Sequence, residues 1–131
     1  MQDINPSQIE LFIKKIVKMA KDDLKVVGVI VFGSYIQKKY FKDVDIALIS
    51  IPNQSEREML KIRLNYLKEV PDYFDIQIFQ TLSLAIQKDI LNGIVLYETT
   101  ELYDIAYETV KEYEDFRKYR DDYIKGVLNE N

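Results

Sequence analysis

Gly33-Ser34 and Asp43-Val44-Asp45 are the residues whose types and spacing could do chemistry. Gly33-Ser34 closes an apolar run, and a Gly-Ser turn offers backbone N–H groups and a hydroxyl to a phosphate oxygen. After eight intervening residues, Asp43 and Asp45 open a second apolar run. On a strand, residues at i and i+2 point to the same face. Two such carboxylates with no Lys or Arg between them repel unless a cation joins them, and oxygen-only ligands suit a hard divalent ion such as Mg2+. A phosphate binder and a metal binder this close together suggest chemistry on a nucleoside triphosphate.

The elements that must position these residues follow from periodicity. Val26 to Phe32 (VVGVIVF) is a short β-branched run and reads as a buried central strand, and Val44 to Ser50 as a second strand. Asp43, Asp45 and Ala47 then share one face, with Val44, Ile46 and Leu48 on the other. Tyr35 to Lys39 is expected to form a short helical turn after Gly33-Ser34. Phe74 to Phe79 (FDIQIF) alternates as a third strand, with Asp75 and Gln77 on one face and Ile76 and Ile78 on the other. Ile94 to Tyr97 reads as a short edge strand.

Helices fill the intervals. Asn5 caps the first, with Pro6 in its first turn and Gln8 completing a capping box; Ile9, Phe12, Ile13, Ile16, Val17 and Ala20 recur at helical spacing. Ser55 to Glu58 caps a helix running to about Val70, with Met59, Ile62, Arg63, Tyr66 and Leu67 as its packing stripe. Leu82 to Asn92 is a helix with Gly93 just past its end. Glu101 to Leu128 is a long helical pattern with a stripe of Leu102, Ile105, Ala106, Thr109, Tyr113, Phe116, Tyr123 and Val127.

Connection lengths bring the acidic residues together. About ten residues join the first two strands, too few for a parallel crossover, so the pair is antiparallel. The end of the first strand then lies beside the start of the second, placing Gly33 and Ser34 near Asp43 and Asp45. A full helix joins the second and third strands, which favours a parallel right-handed crossover. Asp43, Asp45 and Asp75 therefore start neighbouring strands at one edge of the sheet.

Composition narrows the chemistry. The chain has 131 residues, 47% apolar and 31% charged, which fits one soluble domain spanning 1–131. A net charge of −4 gives no basic field for nucleic acid. There is no Cys, so disulfides and thiolate metal sites are excluded, and no His, so catalysis must rest on Asp, Glu, Lys, Tyr or Ser. No apolar run is long enough to span a bilayer and no signal-peptide pattern opens the chain, so a cytoplasmic protein is expected.

Gly33-Ser34, Asp43-Val44-Asp45 and a later strand carrying Asp75 resemble the nucleotidyltransferase superfamily of DNA polymerase β. More closely, FGSY, DVDIAL, FDIQIF and the tail LYDIAYETVKEYEDFRKYRDDY look like the minimal nucleotidyltransferases, whose genes often adjoin that of a HEPN-domain toxin. The resemblance covers essentially the whole chain and implies an α/β fold: a small mixed sheet with helices packed on it and a long C-terminal helix. It implies that Gly33 and Ser34 hold the triphosphate. It makes Asp43, Asp45 and Asp75 the catalytic and metal-binding carboxylates for two Mg2+ ions, the third helping to activate the attacking hydroxyl. The sequence departs from the family where a small residue, a basic residue and a glycine usually follow the serine: Ile36, Gln37 and Lys38 stand there, and the spacer is shorter. Lys38, Lys39 or Lys42 remains to supply positive charge.

Bland readings compete with each residue. A Gly-Ser turn or an Asp-x-Asp pair alone is common at strand ends, and it is their joint spacing that is specific. Gln77 is more simply a surface residue than a partner of the site, Tyr35 a packing residue, and the tyrosine-rich last helix core and partner interface. Arg117 and Arg120 could contact a nucleotide or an acidic partner. By resemblance, the expected activity is transfer of AMP from ATP to a hydroxyl, such as a tyrosine of a HEPN toxin, making this chain an antitoxin and a member of a hetero-oligomer. An antitoxin acting by contact alone, or transfer to a small molecule, are the alternatives.

Overall fold

Two β-branched runs form the middle of a four-stranded sheet. In the computed structural model, which describes residues 5–37 and 42–129, helix α1 (Pro6–Lys21) precedes strands β1 (Val26–Phe32) and β2 (Val44–Ser50). Helix α2 (Glu56–Leu67) leads to β3 (Phe74–Ile78), and a 3-10 turn, Phe79–Thr81, leads to α3 (Leu84–Ile90). Strand β4 (Ile94–Tyr97) and the long helix α4 (Thr100–Leu128) follow. The sheet order is β3-β2-β1-β4. β1 runs antiparallel to β2 and β4, and β2 runs parallel to β3, as the connection lengths required.

Alternation along the strands sorts the core into two layers. Val29, Val31, Val44, Ile46, Leu48, Ile76 and Ile78 pack against Ile9, Ile16 and Ala20 of α1 and Ile62 and Tyr66 of α2. Ile30, Ala47 and Ile49 point the other way and pack with Phe79, Ile90 of α3 and Leu102 of α4. The helix starts are fixed locally: the side chains of Asn5, Ser55, Ser83 and Thr99 accept from the amides of Ser7, Glu58, Ile86 and Leu102.

Several elements differ from the sequence expectation. Helix α2 stops at Leu67. Phe79 leaves the strand for the 3-10 turn, where its carbonyl accepts from Leu82 at 3.2 Å and from the Gln87 side chain at 3.0 Å. Gln80 there completes the strand pairing with its own amide, accepting from Ser50 N at 3.1 Å and donating to Ser50 O at 2.7 Å. Helix α3 begins only after Ser83. Residues 33–37 form a bend and turn with no helical segment, while the rest of the expected helical turn, Lys38 and Lys39, lies outside the described residues. Gly93 follows α3 for a reason the sequence did not suggest: a Cβ there would lie 2.4 Å from the carbonyl oxygen of Val31. The chain must pass that close to β1 in order to enter β4.

Candidate active site

The start of β3 is tied to the start of β2 by backbone hydrogen bonding. Val44 N donates to Tyr73 O at 2.8 Å, and the pairing then runs Val44↔Phe74, Asp45↔Asp75, Ile46↔Ile76. Directly paired residues of parallel strands project to the same side, so Asp45 and Asp75 leave one face of the sheet from adjacent strands, which lie about 4.8 Å apart. That face is the one on which Ala47 and Ile49 meet α3 and α4. Asp43, one residue before β2, is exposed.

Gly33 reaches the same place from β1. Phe32 pairs with Asp45, and Gly33 follows with a φ of +80°, a region that glycine enters without steric cost. A Cβ on Gly33 would lie 2.4 Å from Asp45 Oδ2, so that carboxylate oxygen sits directly over the glycine α-carbon. Ser34 is the next residue, half-buried in the turn. The structure thus brings Gly33, Asp45 and Asp75 together, with Ser34 and Asp43 adjacent in the chain.

The electrostatics are those of a crowded anionic site. Asp45 is held above the usual carboxylate range, first by burial and then by the charges of Asp75 and Asp43. Among the described residues the ion pairs are Lys15–Glu69, Arg117–Glu114 and Arg120–Asp121, so within that set no cation is paired with Asp43, Asp45 or Asp75. Nor, among those residues, do three or more acidic side chains converge in the arrangement of a formed metal site. The donor set nevertheless fits a hard divalent cation by its chemistry, being oxygen-only and without an ion-pair partner among the described residues.

Gln77 belongs to this site, against the simpler surface reading. Its Nε2 donates to Asp75 Oδ1 at 2.9 Å from two residues along the same strand face. The i, i+2 spacing was the available signal. Tyr73 and Arg63 act through the backbone and carried no sequence signal: Tyr73 O sets the register, and Arg63 Nε donates to Ile76 O at 2.7 Å, capping a carbonyl of edge strand β3. Of the lysines considered for the phosphates, Lys42 is exposed beside Asp43, while Lys38 and Lys39 lie outside the described residues. Arg117 and Arg120 sit far along α4, paired with acids of their own helix.

Comparison with known proteins bears on the family and the fold. The family model described as polymerase beta, nucleotidyltransferase, matches residues 14–102, a span that includes all five expected site residues. A Methanocaldococcus jannaschii protein named as a protein adenylyltransferase is 29% identical over 98 residues, covering 72% of this chain and 75% of that protein. Among solved structures, a tri-AMPylated Shewanella oneidensis HEPN toxin in complex with an MNT antitoxin superposes with a TM-score of 0.64 at 20% identity, covering 91% of this chain and 98% of that one. A toxin–antitoxin structure with AMP-PNP gives 0.65 at 21% identity, over 88% and 98%. These likenesses establish the same fold. Among the described residues, no helix is long and apolar enough to cross a membrane.

Proposed function

The chain belongs to the polymerase beta nucleotidyltransferase family, and we propose that it transfers AMP from ATP to a tyrosine hydroxyl of a HEPN-domain partner, silencing that partner as an antitoxin in a hetero-oligomer. The observation that carries the reading is the crowding of Asp45 against Asp75 and Asp43 beside Gly33, with none of the three in an ion pair among the described residues. An anionic cleft of this kind calls for a cation, and a triphosphate brings one. The named adenylyltransferase relative, and the folds shared with an antitoxin beside an AMPylated toxin and with an AMP-PNP complex, support AMP as the group and a HEPN protein as the acceptor. Use of ATP as the substrate supports a cytoplasmic location.

In this reading the acceptor oxygen attacks the α-phosphorus, a new P–O bond forms, and the bond to the bridging oxygen of the β-phosphate breaks, releasing pyrophosphate. The hydroxyl proton passes to Asp75. Gln77 occupies Oδ1 of that carboxylate and leaves Oδ2 to receive it. Gly33, having no side chain, opens the turn so that its backbone and the Ser34 hydroxyl reach the phosphates. Asp43 and Asp45, with Asp75, would hold Mg2+. The ion, when bound, supplies the positive charge on which phosphoryl transfer chiefly depends.

The test is incorporation of labelled AMP into a co-expressed HEPN-domain protein, run beside rescue of growth. The Asp43→Asn, Asp45→Asn variant should stay folded, bind the partner and fail to modify it, with transfer down by at least about 10²–10³-fold. Full rescue by a variant with no detectable transfer would instead establish neutralisation by contact.

A further inference from the structure

Helix α4 carries one stripe in two different environments. Leu102, Thr109, Phe116 and Tyr123 recur every seven residues, with Tyr113, Arg120 and Val127 repeating between them at the alternating spacing of a helix–helix seam. The first part is docked on the domain: Leu102 is 2% and Thr109 6% exposed. At Tyr113 the Lys88 ammonium lies 4.7 Å from the ring centroid. From Glu114 onward every described residue is exposed, including Phe116 at 55% and Tyr123 at 65%. The face that packs on the body therefore continues, in the same phase, for roughly 20 Å without cover.

Its pattern and charge say what would cover it. A seven-residue repeat of this spacing matches the ridges of another helix. Arg120 stands in the middle of the uncovered face. Its ion pair is a long one, 3.6 Å to the adjacent Asp121 with both side chains 54% exposed, and consecutive residues do not face each other on a helix, so the guanidinium keeps donors for a further carboxylate. Arg117, by contrast, is held by Glu114 at 2.9 Å, one turn back. A second copy docked antiparallel about Arg120 would bury two guanidiniums against each other, a like-charge contact that works against pairing. An incoming carboxylate removes that conflict.

We infer that the α4 face from Phe116 to Val127 is the docking surface for a helix of a different protein, one that sets apolar residues against Phe116, Tyr123 and Val127 and a carboxylate against Arg120. The identity of that protein as the HEPN partner rests on the function proposed above, whereas its chemistry rests on the stripe alone.

A synthetic three-heptad helical peptide, apolar along one seam and carrying either Glu or Lys opposite Arg120, tests that chemistry. The Glu peptide should bind the full chain about tenfold more tightly than the Lys peptide, and the Arg120→Glu variant should reverse the preference. The chain alone should sediment as a monomer. With a HEPN-domain protein that co-purifies with wild type, Arg120→Glu should release it while ATP binding stays unchanged. Absent peptide binding, a preference that does not reverse, or a dimer dispersed by Phe116→Asp would overturn the inference. Peptide preference that reverses in a chain unable to transfer AMP would retain the docking face and reject the proposed reaction.

Discussion

Asp45 and Asp75 are paired residues on adjacent parallel strands, and their carboxylates leave the same face of the sheet at its open edge. Three separate causes converge on this relationship. Period-two alternation selects the face, the α2 crossover makes β2 and β3 parallel, and the bond from Val44 N to Tyr73 O fixes the register. A slip of one residue would turn Asp75 into the α1 and α2 layer, where Ile76 now sits.

The first prediction concerns the cost of that pairing. Burial, Asp75 and Asp43 all raise the Asp45 carboxyl above its ordinary value. A group whose folded pKa exceeds its unfolded value stabilises the fold below the unfolded pKa, and that contribution is lost as pH rises through the folded pKa. Ionised Asp45 is therefore a burden at neutral pH. Asp45→Asn should melt at a higher temperature than wild type at pH 7 in chelator. The gap should close as the pH falls below about 4, the ordinary aspartate range. Melting curves at several pH values check this, and equal melting temperatures at pH 7 would refute it.

The second concerns Gln77. Its amide holds one oxygen of Asp75 from two residues along the strand, without entering the core. Gln77→Leu should leave the thermal midpoint nearly unchanged and lower kcat for AMP transfer by roughly tenfold, about 1.4 kcal/mol in the barrier, with little change in KM for ATP. A proportionate loss in KM alone would assign Gln77 to ground-state binding instead.

Much of this frame was legible before any coordinates. The β-branched runs ending at Phe32 and Ser50 are bounded by a glycine and a proline-containing turn, and they form strands with the expected limits. What the sequence hid is long-range or unencoded. Gly93 looks like a helix terminator, whereas the structure uses it because Val31 O lies against it from another element. Phe79 keeps the alternation of a strand residue while its backbone has already turned. The stripe of α4 is periodic throughout, but periodicity reports an apolar face and not whether the same molecule covers it.

The third prediction concerns the opposite layer. Tyr66 on α2 is buried, and its hydroxyl donates to Asp23 Oδ2 at 3.0 Å, linking α2 to the turn before β1. Burial and the Asp23 charge push this phenol up, so it remains a donor at any ordinary pH. Tyr66→Phe deletes the donor to a carboxylate and should cost about 1.5–3 kcal/mol of unfolding free energy, with AMP transfer retained at temperatures where the variant is folded. Urea titration measures it, and a loss well below that range would show that Asp23 finds another donor.

The last prediction sets two glycines against each other. A Cβ added at either position meets an oxygen at 2.4 Å, yet the two oxygens differ in their freedom to move. At Gly33 the obstacle is Asp45 Oδ2, at the end of a side chain that can rotate away, and the remaining cost is a φ of +80°, roughly 1–2 kcal/mol for a non-glycine residue. At Gly93 the obstacle is the backbone carbonyl of Val31, in the middle of the sheet, with the Ile30 side chain 2.9 Å away on the same path. Neither can move without disturbing the β1–β4 pairing through Val31 and Ile94. Gly93→Ala should therefore destabilise by about 3 kcal/mol, the upper end of ordinary overpacking, and by more than Gly33→Ala. Activity should rank the other way. Rotating Asp45 away from Gly33 removes a carboxylate from the position the proposed reaction requires, so Gly33→Ala should lose transfer by at least about a hundredfold while still folded. Gly93→Ala should keep its specific activity below its melting temperature. Unfolding curves and AMP incorporation on the same two preparations decide it. A Gly33→Ala protein that transfers AMP at the wild-type rate would show that the contact between Asp45 and the Gly33 turn is not part of the working site.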